Sequence, residues 1–233
     1  MSAKALSRAL VLLAMCLQGF LSMGYQMVAS RLLAPHFGAS LIVWAVLIST
    51  FLAAFSMGSI LGGWVSSLGG RRRGLGLAAL SFMAVAGFAI NAFAGKRVLV
   101  TLEDSFESTN LCLVASCSCL FVLPVLSLSA FPPLCAERLS AHGVGAGLAS
   151  GLVYGVSTLG NIAGVMATAF LLIPRFAVST LLVLWLVVAT AEVLLLGWLL
   201  GRSAAPPSPA PRSPGPPSPV PARGATCPGN RSW

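Results

Sequence analysis

Glu192 is the one acidic residue set inside a long apolar run of this chain, and a carboxyl in that position has few chemical uses. It lies about ten residues before its run ends, which at about 1.5 Å per helical residue is near a bilayer midplane, too deep for a short side chain to snorkel. An ionisable group at that depth costs about 2.5 kcal/mol or more, so it faces a partner or a watery cavity, or stays protonated. The chemistry this predicts is cation binding or proton relay; the competing use is a neutral acid hydrogen-bonded to a neighbouring helix. Gln18, Gln26, Asn91 and Asn161 are the amides at similar depth, where bonds across helices contribute about 0.6 to 2 kcal/mol each. Asn161 and Gln26 join Glu192 as candidate substrate-binding residues. Arg31, just before Ala34-Pro35-His36, is the fourth candidate, with a headgroup phosphate as its competing ligand.

The remaining reactive types offer less. Cys117 and Cys119 form a CxC, but residues two apart point to different helix faces and no His lies close in sequence. Small apolar packing is the expected role of the cysteines, and no metal or cofactor is expected. His36 and His142 have no metal-ligand partner at useful spacing and sit at helix ends, which predicts interfacial or capping roles. No nucleophile, base and orienting group occur together, and no phosphate-binding loop follows a strand, so the chain is not expected to be an enzyme by itself.

The elements that must position these groups are six stretches, residues 9 to 30, 41 to 68, 74 to 95, 110 to 136, 146 to 172 and 177 to 201. About 20 apolar residues cross a core of roughly 30 Å, so each is long enough to span a membrane. Trp44 and Trp64 bracket the second stretch at the separation expected of indoles at opposite interfaces. With 57% hydrophobic and 8% charged residues and a mean hydropathy of +0.93, the composition excludes an ordinary soluble domain. The expected fold is an all-α polytopic bundle of about six transmembrane helices, with the lipid bilayer as its first partner. The first run is long for a signal peptide and leads straight into a second span, so it is expected to remain in the membrane.

The net charge of +9 is distributed as a membrane protein requires, which removes nucleic acid as the expected partner. With the N-terminus inside, Lys4, Arg8, Arg71, Arg72, Arg73, Arg138, Arg202, Arg212, Arg223 and Arg231 are cytoplasmic, while Arg31, Lys96, Arg97 and Arg175 lie outside. This favours both termini in the cytoplasm of a cell with an inner membrane. Glu103, Asp104 and Glu107 then fall in the external link from Lys96 to Thr109. Composition changes at Arg202, and ten of the fifteen prolines lie between Pro206 and Pro228. The domains are therefore a six-helix body over 1–201 and a Pro-rich cytoplasmic tail over 202–233, which favours polyproline II and holds PxxP spacings.

Glycine marks where helices should touch. Gly143, Gly147, Gly151 and Gly155 recur every four residues, followed by Gly160 and Gly164; Gly58 with Gly62 and Ser59 with Gly63 do the same in the second span. The link after Lys96 divides the body into three spans plus three. Gly58-Ser-Ile-Leu-Gly62 and Gly160-Asn-Ile-Ala-Gly164 occupy corresponding, oppositely directed spans, which suggests an inverted repeat. Pro124, Pro132 and Pro133 interrupt the fourth span, where freed carbonyls either line a cavity or are satisfied by neighbours.

Two blocks carry a family likeness. GYQMVASRLLAPHFGAS and VWAVLISTFLAAFSMGSILGGW, within Gly19 to Leu68, and VYGVSTLGNIAGVMATAFLLIP, Val153 to Pro174, resemble the membrane half of bacterial fused spermidine synthase-like proteins. That half is related to the major facilitator superfamily and precedes an aminopropyltransferase-like domain. The first block usually reads GYE, whereas Gln26 follows Tyr25 here, so one carboxylate is replaced by an amide. Only 32 residues follow Gly201, none acidic, so the resemblance implies a non-catalytic module without the transferase domain. GGWVSSLGGRR, Gly62 to Arg72, resembles the loop motif of major facilitators, with Ser66 and Ser67 where that motif holds an acid and a base. Positive-inside topology alone would select the same arginines.

Two functions follow as expectations. The first is a scaffold or transport-like partner, in polyamine metabolism, for a separately encoded aminopropyltransferase-like protein. The second is a small cation or polyamine transporter working through Glu192 as a homodimer, since six spans are half of a typical major facilitator.

Overall fold

In the computed structural model, which describes residues 3–201 and side chains from Ala5 onward, the chain is a bundle of helices. The expected tail over 202–233 lies outside the described residues. The helices are α1 (Ala3–Phe37), α2 (Leu41–Ser67), α3 (Gly70–Phe93), α4 (Gly95–Ser105), α5 (Thr109–Ser129), α6 (Phe131–Ala141), α7 (Ala146–Ala167) and α8 (Val178–Gly201), with a π-helical turn at Thr168–Leu172. Six spans are long and apolar enough to cross a membrane: α1, α2, α3, α5 with α6, α7 with its π turn, and α8.

The core is largely apolar, but the exterior is apolar as well, unlike that of a protein built for water. Gln18, Ser22, Gln26, Asn91, Ser116, Ser127, Ser129, Arg138, Thr168 and Glu192 are inside, while Leu13, Leu41, Ile60, Trp64, Phe82, Phe93 and Phe170 face outward. Apolar side chains outside and hydrogen-bonding groups inside are what a hydrocarbon solvent selects. This is a multi-pass membrane protein.

The local chemistry explains where the helices stop. Ser40 caps α2 by accepting a hydrogen bond from the Val43 amide at 3.4 Å, and Gly38, at φ +74°, closes α1 by donating to the Ala34 carbonyl at 3.0 Å. The first span is longer than residues 9 to 30, because α1 continues through Pro35, whose missing amide hydrogen costs little so close to the end. The fourth span runs through Pro124 but breaks at Ala130; Pro132 and Pro133 then open α6, where a first-turn proline loses no helical bond. His142 sits at the α6 C-cap, and its carbonyl accepts from the Arg8 guanidinium.

The link after the third span is a correction to the sequence reading. It holds a helix, α4, with Gly95 and Leu99 buried and Lys96, Arg97, Val100 and Thr101 outward. At 11 residues it is about 16 Å long, too short to cross, so it lies across the bundle end. His36 Nδ1 and Glu103 Oε1, 2.9 Å apart, tie it to the end of α1.

Because α4 does not cross, the halves before and after it run in opposite directions, and their largest interfaces join one half to the other. α1 packs on α7, α2 on α5 and α6, α3 on α8 and α5, and α1 also on α8. Exchanging the halves leaves this pairing unchanged. The glycines show why. Gly58 and Gly62 of α2 abut the Leu126 and Ala130 carbonyls, and Gly160 and Gly164 of α7 abut those of Cys16 and Phe20, with the same four-residue step. Any side chain at these positions would force the helices apart. Gln18, midway between Cys16 and Phe20, donates its amide to the carbonyl of Leu128, midway between Leu126 and Ala130. The two halves thus meet through equivalent positions.

One expected contact face is not one. Gly147, Gly151 and Gly155 meet no protein atom that an added Cβ would touch, and the same holds for Gly63. The first part of α7 instead turns its glycines to the bundle exterior.

Candidate functional site

Glu192 is placed by α8, whose Trp185 anchors it by donating from Nε1 to the Leu21 carbonyl at 2.9 Å. Two turns further along, Glu192 points inward at 1% exposure, and neither carboxyl oxygen has a hydrogen-bond partner among the described residues. α6 brings the other reactive groups to the same region. The break at Ala130 restarts the helix so that Cys135 and Arg138 face the interior against α8. Cys135 is fully buried on α6, and Glu192 is buried on α8, which packs against it.

Arg138 is only 9% exposed, and its Nε and Nη1 are buried without hydrogen-bond partners, yet no ion pair joins it to Glu192. The Glu192 carboxyl on α8 and the Arg138 guanidinium on α6 are each buried with unused bonding capacity. Entry of water or of a cation would supply what the carboxyl lacks, whereas the present contacts leave it enclosed. Beside it, Arg73 pairs with Glu137 at 2.7 Å, fixing the α2–α3 turn to α6 at the arginine-rich end of the bundle.

The other three residues singled out from the sequence are dispersed. Gln26 is buried in α1, on the opposite side of Leu21 from the level where Glu192 lies. Asn161 is half-buried at the α1–α7 contact, its backbone amide against Gly19. Arg31 is exposed at the other end, lining a pocket of about 270 Å³ with Met27, Gly38, Trp44 and Ile173. None of the hydrogen bonds among the described residues joins any two of the four. Of the other amides, Asn91 donates from Nδ2 to the Leu120 carbonyl at 2.7 Å and to Gly87 at 2.8 Å, a helix-to-helix bond of the structural kind.

Sequence reasoning did not bring α6, with Cys135 and Arg138, against α8, because no local spacing links the fourth span to the sixth. It also gave Tyr25 no role. The Tyr25 ring lies 4.8 Å from Phe88, 5.8 Å from Phe121 and 6.0 Å from Phe51 between centroids, joining α1, α2, α3 and α5 in one aromatic cluster. Its hydroxyl is buried without a partner. Compared with family models, curated proteins and solved structures, the chain matches none.

Proposed function

We propose that the chain is a non-catalytic membrane module of the kind that accompanies spermidine synthase-like enzymes. In this reading it is a scaffold at the inner membrane, termini in the cytoplasm, for a separately encoded aminopropyltransferase-like protein of polyamine metabolism. The observation that supports it is how the resembling blocks are used. Gly19 abuts Ser157 and Asn161 backbone, Gly24 abuts Thr168, and Phe20 abuts Gly164, so the two blocks are each other's packing partners. The residues that carry the likeness hold α1 against α7, and at the Arg31 end they also line the pocket of about 270 Å³. The test is flotation: a purified aminopropyltransferase-like protein from the same genome is expected to rise with vesicles containing the chain and to stay behind with empty ones. Equal recovery in both fractions counts against the scaffold.

Glu192 favours a second reading, a cation or polyamine transporter working as a homodimer. Its carboxyl is unpartnered at depth, and small residues at Gly147, Gly151 and Gly155 and at Ala45, Ser49 and Ala53 face outward on the corresponding helices α7 and α2. Uptake of labelled spermidine into vesicles, lost in Glu192→Gln, would establish it; no uptake above empty vesicles leaves the scaffold reading in place.

A further inference from the structure

Between α3 and α8 runs a groove of about 590 Å³, on the side of α8 away from Glu192. Its floor is low because Gly74, Ala78 and Gly197 carry little or no side chain, and Phe82 and Trp198 stand as its walls. It extends from Gly74 and Gly201 at the arginine-rich end to Val85 and Thr190, eleven helical residues or about 16 Å along α3. One leaflet of a roughly 30 Å hydrocarbon core has that depth.

The width selects the occupant. About 590 Å³ spread over about 16 Å leaves a mean cross-section of about 37 Å², whereas a helix with its side chains is about 10–12 Å across. A cross-section of that order suits a single alkyl chain rather than an engulfed helix.

The charge at its mouth selects the headgroup. Arg71 lies one turn before Gly74 on the face of α3 that lines the groove, with Arg72 beside it, and both are exposed. Arg73 is neutralised by Glu137 at 2.7 Å, while among the described residues Arg71 and Arg72 have no ion pair. Two unpaired guanidiniums above a one-leaflet apolar trough complement a phosphate ester with a hydrocarbon tail. We propose that this groove seats one acyl chain of an anionic glycerophospholipid, with its phosphate held by Arg71 and Arg72.

Native mass spectrometry of the full chain, released from detergent with added phosphatidylglycerol or phosphatidylcholine, tests this. One phosphatidylglycerol per chain is expected, with about thirtyfold preference over phosphatidylcholine, the order of effect two surface arginines supply. R71Q/R72Q is expected to lose the preference, and Arg97→Gln, at the opposite end, to keep it. An added Cβ at Gly197 meets only Ser81 Oγ, at 3.7 Å, so Gly197→Leu fills the trough without moving backbone and is expected to lose retention of the lipid. Gly74→Leu, whose Cβ meets nothing, repeats the test if Gly197→Leu fails to fold. Equal retention of the two lipids, an unchanged preference in R71Q/R72Q, or full retention in the filled variants overturns the proposal. So does a groove-filling variant that loses a dimer while keeping its lipid.

Discussion

The two ends of α7 carry the same residue at nearly the same spacing and use it in opposite ways. Gly160 and Gly164 are locked against the Cys16 and Phe20 carbonyls, whereas Gly147, Gly151 and Gly155 meet no atom of the chain. A small-residue stripe therefore states that a backbone can be approached closely, not that it is. What decides is the partner: the locked end faces α1, which offers carbonyls at the matching four-residue step, and α2 meets α5 in the same manner through Gly58 and Gly62.

Substitution can break that contrast. The largest effect is expected from Gly160→Leu, whose side chain would occupy the position of the Cys16 carbonyl; a loss of about 3 kcal/mol follows, read as a collapse of the thermal midpoint in detergent. Gly151→Leu, in open surroundings, is expected to lose nothing and to gain up to about 0.8 kcal/mol from helix propensity, and equal losses at the two sites would dissolve the distinction. Next comes Glu192→Met. Replacing a buried carboxyl that has no partner by an apolar side chain of similar length should raise stability by about 1–3 kcal/mol. A fall in stability would mean that the carboxyl is bonded after all.

Smaller effects sharpen the picture. Gln18→Leu removes the bond to the Leu128 carbonyl at the meeting point of the halves, for an expected loss of about 0.6–1.7 kcal/mol in the same melting assay. Gly151→Ala, in open surroundings, should gain about 0.5–1 kcal/mol from chain stiffness alone, while Gly62→Ala, against the Ala130 carbonyl, should lose. The same sign at both positions would show that Gly62 tolerates a methyl group.

Much of the fold was legible in the sequence because hydrocarbon imposes a length rule that residues such as Leu41–Ser67 satisfy without tertiary help. The inverted 3+3 arrangement was legible only as a hint in Gly58–Gly62 and Gly160–Gly164; the contacts of those four glycines supply the substance. α4 was overlooked because its charges read as a loop, although Gly95, Leu99 and Leu102 keep the helical interval. At the candidate site, the depth of Glu192 followed from counting residues. The packing of α6, with Cys135 and Arg138, on α8 did not, since it depends on the break at Ala130 and on which face α6 turns toward α8.

The cross-half pairing has a consequence for biogenesis. When a ribosome has delivered only α1 to α3, the faces bearing Gly58, Gly62 and Gln18 still lack the segments that cover them, since α5 and α7 have yet to emerge. Closure of these glycine-lined faces is therefore deferred until α5 and then α7 have entered the bilayer.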